Sequence, residues 1–128
     1  MNKTIMLSTL LLVLVAGCRT AKLNNPEPVP AADSLSATRA AILAGMDNQS
    51  WAVADDEPGK IEAVKVMKGR HEMHVAFLYD DKQVSMKYVD SKKLSYSKDL
   101  FGTEHIHNNY NVWTADLWWD VTRKLQKK

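Results

Sequence analysis

Apolar and polar residues alternate through the middle of the chain in the way that predicts β-strands. Apolar side chains recur at every second position in Val75, Phe77 and Tyr79, so they fall on one face of a strand. Four strand-like runs follow one another, at residues 51–53, 61–67, 71–79 and 84–89. Turn residues separate them about every ten positions, which favours hairpins. The pattern therefore predicts an antiparallel meander sheet of three or four strands.

Two segments on either side of the strands have helical spacing instead. The first begins at Asp33 or Ser34, either of which can cap a helix, and continues to about Met46. The second runs from Ile106 to about Leu125, with an apolar stripe on one side. Between the sheet and this second helix, residues 90–105 are polar with little pattern. We predict an α+β domain in which the N-terminal and C-terminal helices pack on one face of the sheet.

The N-terminus has the features of a secretory signal peptide. Lys3 gives it a basic start, and residues 5–16 form a mostly apolar run. A helix of this length spans about 18 Å, which is too short for a bilayer core of about 30 Å. The run ends in Val15-Ala16-Gly17-Cys18, an aliphatic residue and two small residues before the only cysteine.

This ending resembles the lipobox of bacterial lipoproteins. The resemblance implies cleavage before Cys18, whose thiol then carries a covalent lipid, with a further acyl chain such as palmitate on its amine. Two or three acyl chains make a stable membrane anchor. Arg19 follows the cysteine where an aspartate would imply retention in the inner membrane, so the resemblance implies the outer membrane of a Gram-negative cell, on its periplasmic face. The alternative is a buried cysteine near an N-terminal helix.

The following segment predicts a linker. Pro26, Pro28 and Pro30 alternate with other residues, which favours the extended polyproline II conformation. We therefore divide the chain into a signal peptide at 1–17, an acylated cysteine with a Pro-rich tether at 18–33, and one α+β domain at 34–128.

Two further motifs occur together, Tyr88-x-x-Ser91-x-x-Leu94-x-Tyr96 and Ile106-His107-x-x-Tyr110-Asn111-x-Trp113-x-x-x-Leu117. They resemble a family of small bacterial lipoproteins with one helix, a three- or four-stranded sheet and a closing helix. The resemblance implies the fold and the compartment. It gives no indication of an activity.

Composition and charge narrow the classes of function. A net charge of +2 is too small to indicate a nucleic-acid partner. One cysteine excludes an intramolecular disulfide and a Cys-based zinc site. Ser91 follows Asp90 in a turn-like context without the flanking pattern of a catalytic serine, so we predict that the protein is not an enzyme.

His105 and His107 are candidate metal ligands, because side chains two residues apart point the same way on an extended segment. Imidazoles at this spacing can share Zn, Cu or Ni if further ligands such as Asp99 or Glu104 are present. The alternative for His107 is capping of the second helix.

Trp119 is the other candidate functional residue. Helical spacing places it opposite the apolar stripe, between Val112 and Arg123, a composition typical of a protein contact. The alternative is that Trp119 packs on the 90–105 connection or on the linker. We expect a non-catalytic interaction module with an envelope protein as partner and no cofactor beyond the lipid. The alternative function is small-molecule or metal-ion binding at His105 and His107.

Overall fold

The computed structural model describes residues 19–127. The predicted signal peptide and Cys18 lie outside the described residues. The elements in chain order are β1 (Thr20–Lys22), β2 (Val29–Pro30), α1 (Leu35–Asn48), β3 (Ala52–Glu57), β4 (Lys60–Met67), β5 (His71–Tyr79), β6 (Gln83–Lys92), β7 (Ser97–Lys98), β8 (Glu104–His107) and α2 (Asn108–Gln126). The fold is α+β with antiparallel sheets, as the hydrophobic pattern predicts.

The larger sheet has five strands in the order β2-β6-β5-β4-β3. Strands β3 to β6 form the predicted meander, in which each strand pairs with the next one in the chain. The cross-strand partners Ile61 and Phe77, and then Phe77 and Met86, place the apolar alternation of three strands on one face. A bulge between His74 and Val75 in the β5–β6 pairing shifts the register, and β6 continues beyond it to Lys92.

Residues of this face and of both helices share one hydrophobic core. Ile42 and Met46 of α1 and Leu117 and Val121 of α2 are buried in the same cluster as the strand residues. The Trp118 ring of α2 stacks on Phe77 of β5 with 6.5 Å between ring centroids. Ser34 caps α1 by accepting a hydrogen bond from the Ala37 backbone N–H, as its residue type predicts.

The segment predicted as a tether lies along the domain in the structure. Thr20–Lys22 pairs with β8 to form a second sheet in the order β1-β8-β7, and Val29–Pro30 pairs with the edge of β6. Leu23, between these strands, is buried in the core. Backbone hydrogen bonding and the burial of Leu23 therefore hold the segment on the domain. This pairing also explains why the larger sheet has five strands where three or four are predicted.

The prediction for residues 90–105 and for the start of the second helix needs correction. Leu94 is buried, and Ser97–Lys98 forms β7 within the segment predicted as a polar connection. Ile106 and His107 belong to β8, where they pair with Ala21 and Thr20 of β1. The helix therefore begins at Asn108 rather than at Ile106. Within residues 19–127, none of the helices is long and apolar enough to cross a membrane.

Candidate functional site

The outward side of α2 carries the residues predicted to meet a partner. Trp119 is 63% exposed and Val112 is 50% exposed. The guanidinium carbon of Arg123 lies 5.9 Å from the centre of the Trp119 ring, within the range of a cation–π interaction. We call Val112, Trp119 and Arg123 the α2 surface. Aromatic residues and arginine are enriched at protein interfaces, so the α2 surface is the candidate contact site.

A shallow groove of about 110 Å³ lies beside Trp119. Its walls are mostly apolar, and its lining residues are Asn24, Pro26, Met86, Thr114, Ala115, Trp118 and Trp119. The segment predicted as a linker thus borders Trp119, which agrees in part with the alternative that the indole packs on it. Trp119 is nevertheless 63% exposed, so this segment leaves most of the ring uncovered.

The α2 surface is held in place by a buried carboxylate. Asp120 accepts hydrogen bonds from the side chains of Gln49, Arg123 and Asn48, with 2.7 Å from Asn48 Nδ2 to Asp120 Oδ2. The hydrogen bonds from Gln49, Arg123 and Asn48 lower the pKa of Asp120 to about 2. The carboxylate ties the end of α1 to the middle of α2, and it fixes the guanidinium of Arg123 beside the Trp119 ring.

His107 has a structural role at the start of α2. Its Nδ1 accepts a hydrogen bond from the Asn109 backbone N–H at 3.1 Å and caps α2. The capping alternative is therefore the arrangement that the structure contains. The Nε2 of His105 lies 3.1 Å from Asp99 Oδ2. Among the described residues, no group of three or more His, Cys, Asp or Glu side chains is placed to hold a metal ion.

The other two histidines point to opposite sides of β5. The His71 ring lies 5.8 Å from Trp113 and 6.4 Å from His107, measured between ring centroids. His74 lies on the other face between two carboxylates, with Nε2 2.6 Å from Glu72 and Nδ1 3.2 Å from Glu62. Partial burial opposes protonation of His74, but the hydrogen bonds to both carboxylates outweigh it and raise its pKa.

Three tyrosines of the two sequence motifs, which span residues 88–96 and 106–117, form an aromatic cluster. Tyr88 stacks on Tyr96 with centroids 4.7 Å apart, and it meets Tyr110 edge-on at 5.6 Å. The hydroxyl of Ser91 lies 2.8 Å from that of Tyr88. The motif thus joins β6, the segment before β8 and α2. These contacts give Tyr88, Tyr96 and Tyr110 a role in packing.

Sequence reasoning missed an exposed apolar pair at the tip between β7 and β8. Leu100 is 98% exposed and Phe101 is 93% exposed. Asp99 shapes the tip, because its Oδ1 accepts hydrogen bonds from the backbone N–H groups of Phe101 and Thr103. The signal was present in the sequence as two large apolar residues between the turn residues Asp99 and Gly102.

Comparison of the chain with models of protein families, with curated proteins and with solved structures found no match.

Proposed function

We propose that this chain is a lipid-anchored lipoprotein of the bacterial outer membrane that binds a protein of the cell envelope through the α2 surface. The role is non-catalytic. Support for the compartment comes from the signal-peptide pattern and from Val15-Ala16-Gly17-Cys18. We also infer that both helices cover one face of the meander, an arrangement supported by the stacking of Trp118 on Phe77.

The observation that carries the interaction is the exposure of Trp119 beside the groove. Tryptophan and arginine are the residue types that contribute most to binding energy at protein interfaces. Here the indole and the guanidinium are already oriented, because Asp120 holds Arg123. A preorganised pair loses less conformational entropy on binding than two mobile side chains would lose. The groove next to Trp119 suits an apolar side chain of the partner.

Site-specific photocrosslinking in cells tests this proposal. A photoreactive residue replaces the exposed Asp116 in the full-length chain, one helical turn before Trp119. The experiment is repeated with Trp119→Ala and, as a matched control, with Phe101→Ala, which removes another exposed aromatic ring. Circular dichroism of each purified variant verifies that the fold is retained.

We expect one defined crosslinked product with an envelope protein in the parent chain and in Phe101→Ala, and its loss in Trp119→Ala. A product that persists in Trp119→Ala would refute the assignment of the α2 surface. The absence of any product at normal expression would refute it as well, and loss in Phe101→Ala alone would move the contact to the β7–β8 tip.

A further inference from the structure

The pairing of β1 determines which end of the domain lies closest to Cys18. Thr20 pairs with His107, and the Arg19 carbonyl accepts a hydrogen bond from the Asn108 backbone N–H at 2.8 Å. Arg19, the residue after the cysteine, is therefore held beside the start of α2. Because an extended residue spans at most about 3.6 Å, the two residues of chain from Cys18 to Thr20 can cover at most about 7 Å. An acylated Cys18 would hold this end of the domain against the bilayer surface.

Two hydrogen bonds connect this end of β8 to the β4–β5 turn through residues 93 and 94. The His107 backbone N–H donates to the Leu94 carbonyl at 2.8 Å. His71 Nδ1 lies 2.8 Å from the Lys93 carbonyl oxygen, and His71 directly follows the turn. Residues 68–70 and 92–94 therefore lie beside the start of α2, where Arg19 is held.

Four exposed cations surround this point, and we call them the anchor-end cluster: Arg19, Lys68, Arg70 and Lys93. In the part of the chain that the structure describes, none of the four forms an ion pair. The neighbouring carboxylate of Glu72 is engaged by His74 and Lys92 instead. The cluster is thus a set of positive charges that no carboxylate of residues 19–127 neutralises at contact distance.

The opposite end of the sheet carries an excess of negative charge. The turns after β3 and after β5 lie there, because Lys60 pairs with Leu78 while Met67 pairs with His71 at the other end. Five carboxylates lie at the end of β3 and in the turn after β5, and they outnumber the cations of that end, Arg39, Lys60 and Lys82: Asp55, Asp56, Glu57, Asp80 and Asp81. A domain with this charge separation is oriented by a negatively charged surface, with its cationic end toward that surface.

We propose that the anchor-end cluster binds the headgroups of anionic phospholipids. This inference rests on the proposed lipid anchor, which would bring the cluster to the headgroups. The Debye length is about 8 Å at physiological ionic strength, so the attraction between headgroups and cations held within that distance is only partly screened. Each Lys or Arg near an anionic membrane strengthens binding by about fivefold. The lipid anchor fixes the domain to the membrane, and the cluster selects its orientation.

Fluorescence quenching on vesicles tests the orientation with the full-length chain. The protein is reconstituted into vesicles of phosphatidylcholine with or without phosphatidylglycerol, each containing a quencher attached to a lipid headgroup. A fluorophore is placed on Asn108→Cys at the anchor end or, as a matched control, on Gln83→Cys at the far end; both replaced residues are exposed and uncharged. Thiol labelling of the parent chain is measured first, because an acylated Cys18 cannot be labelled.

With phosphatidylglycerol present, we expect stronger quenching at position 108 than at position 83. The double substitution Lys68→Glu/Lys93→Glu reduces this difference, because two favourable charges are reversed. The control Lys82→Glu/Lys98→Glu changes the net charge by the same amount at positions outside the cluster. We expect it to preserve the difference in quenching between positions 108 and 83. Raising the salt concentration to 1 M, where the Debye length is about 3 Å, also reduces it.

Two results would overturn the inference in distinguishable ways. Equal quenching at both positions with a blocked Cys18, or no dependence on phosphatidylglycerol, refutes headgroup binding and leaves the lipid anchor intact. A reactive Cys18 in the parent chain refutes the anchor itself, and with it the orientation that depends on the anchor.

Discussion

Gly45 of α1 lies directly against Val121 of α2. A Cβ atom at position 45 would lie 2.5 Å from Val121 Cγ2 and 2.9 Å from both its Cα and its backbone nitrogen. Two of these three neighbours are backbone atoms, which cannot move away without displacing the helix. The two helices therefore approach one another as closely as the absence of a side chain at position 45 permits.

Gly45→Ala tests this helix contact. Helix propensity alone would favour alanine by up to about 1 kcal/mol. We expect overpacking to outweigh this gain and to lower the free energy of unfolding by about 1–3 kcal/mol. For a domain of this size the melting temperature then falls by roughly 5–15 °C. Ala44→Ser, at an exposed position of the same helix, is the control and shifts stability by less than about 0.5 kcal/mol. A Gly45→Ala variant more stable than the parent chain would contradict the close approach.

The second prediction concerns Asp120. Its hydrogen-bonded carboxylate has a pKa of about 2 in the folded chain, below its usual value, so the ionised form stabilises the fold. This contribution is fully present above about pH 4 and is lost as the pH falls toward 2. We therefore expect Asp120→Asn to unfold at a lower urea concentration than the parent chain at pH 6. We also expect it to lose less stability than the parent chain when the pH falls from 6 to 2.5. Urea titrations across this pH range measure both effects.

Asp116→Asn is the matched control for Asp120, because it removes an exposed carboxylate from the same helix. We expect it to leave the acid dependence of the parent chain nearly unchanged. Equal acid dependence of the parent chain and Asp120→Asn would show that this carboxylate does not link the two helices in the way described.

The third prediction concerns His74, whose pKa the two flanking carboxylates raise. A group with a raised pKa in the folded state stabilises the protein while it is protonated. Its contribution is therefore complete below the ordinary histidine value of about 6.5 and is lost as the pH rises through the raised value. NMR titration of the imidazole protons gives the pKa directly. His74→Gln removes this pH dependence of the unfolding midpoint, whereas a His74 pKa below 6.5 would contradict the geometry.

The sequence predicted best those elements whose pattern is local. The alternation of Val75, Phe77 and Tyr79 identifies β5 at the correct residues, and the two candidate caps Asp33 and Ser34 identify the start of α1 to within one residue. The pairing of Thr20 with His107 joins residues far apart in the chain, and β1 has only three residues, so no local period indicates it. Prolines near position 30 favour an extended chain equally well in a free tether and at a sheet edge.

For the candidate site, too, the sequence indicates features with a local spacing but not contacts between residues far apart in the chain. Helical spacing placed Trp119 on the outward side of α2, and the structure leaves it exposed. The hydrogen bonds that orient Arg123 depend on Asn48 and Gln49 at the end of the other helix, and no spacing within α2 indicates them. For His105 and His107, the spacing could not show that a backbone N–H would occupy His107 Nδ1.

The fourth prediction distinguishes a capping role of His107 from metal binding. His107→Ala removes the acceptor for the Asn109 N–H and lowers the free energy of unfolding by about 0.5–2 kcal/mol. Asparagine is a favourable capping residue, so we expect His107→Asn to restore most of this loss. Thermal unfolding with and without Zn²⁺ measures both effects. A rise in melting temperature with Zn²⁺ that His107→Ala abolishes would instead favour the metal site.

The lipid anchor is the claim on which both the envelope location and the membrane orientation depend. Cells expressing the full-length chain are fed an alkyne analogue of palmitate, and the labelled protein is purified and weighed intact by mass spectrometry. The account predicts a chain without residues 1–17 whose N-terminal residue is Cys18 carrying lipid, and no label on Cys18→Ser. A chain that retains residues 1–17, or one that begins near Cys18 without any lipid, would contradict it.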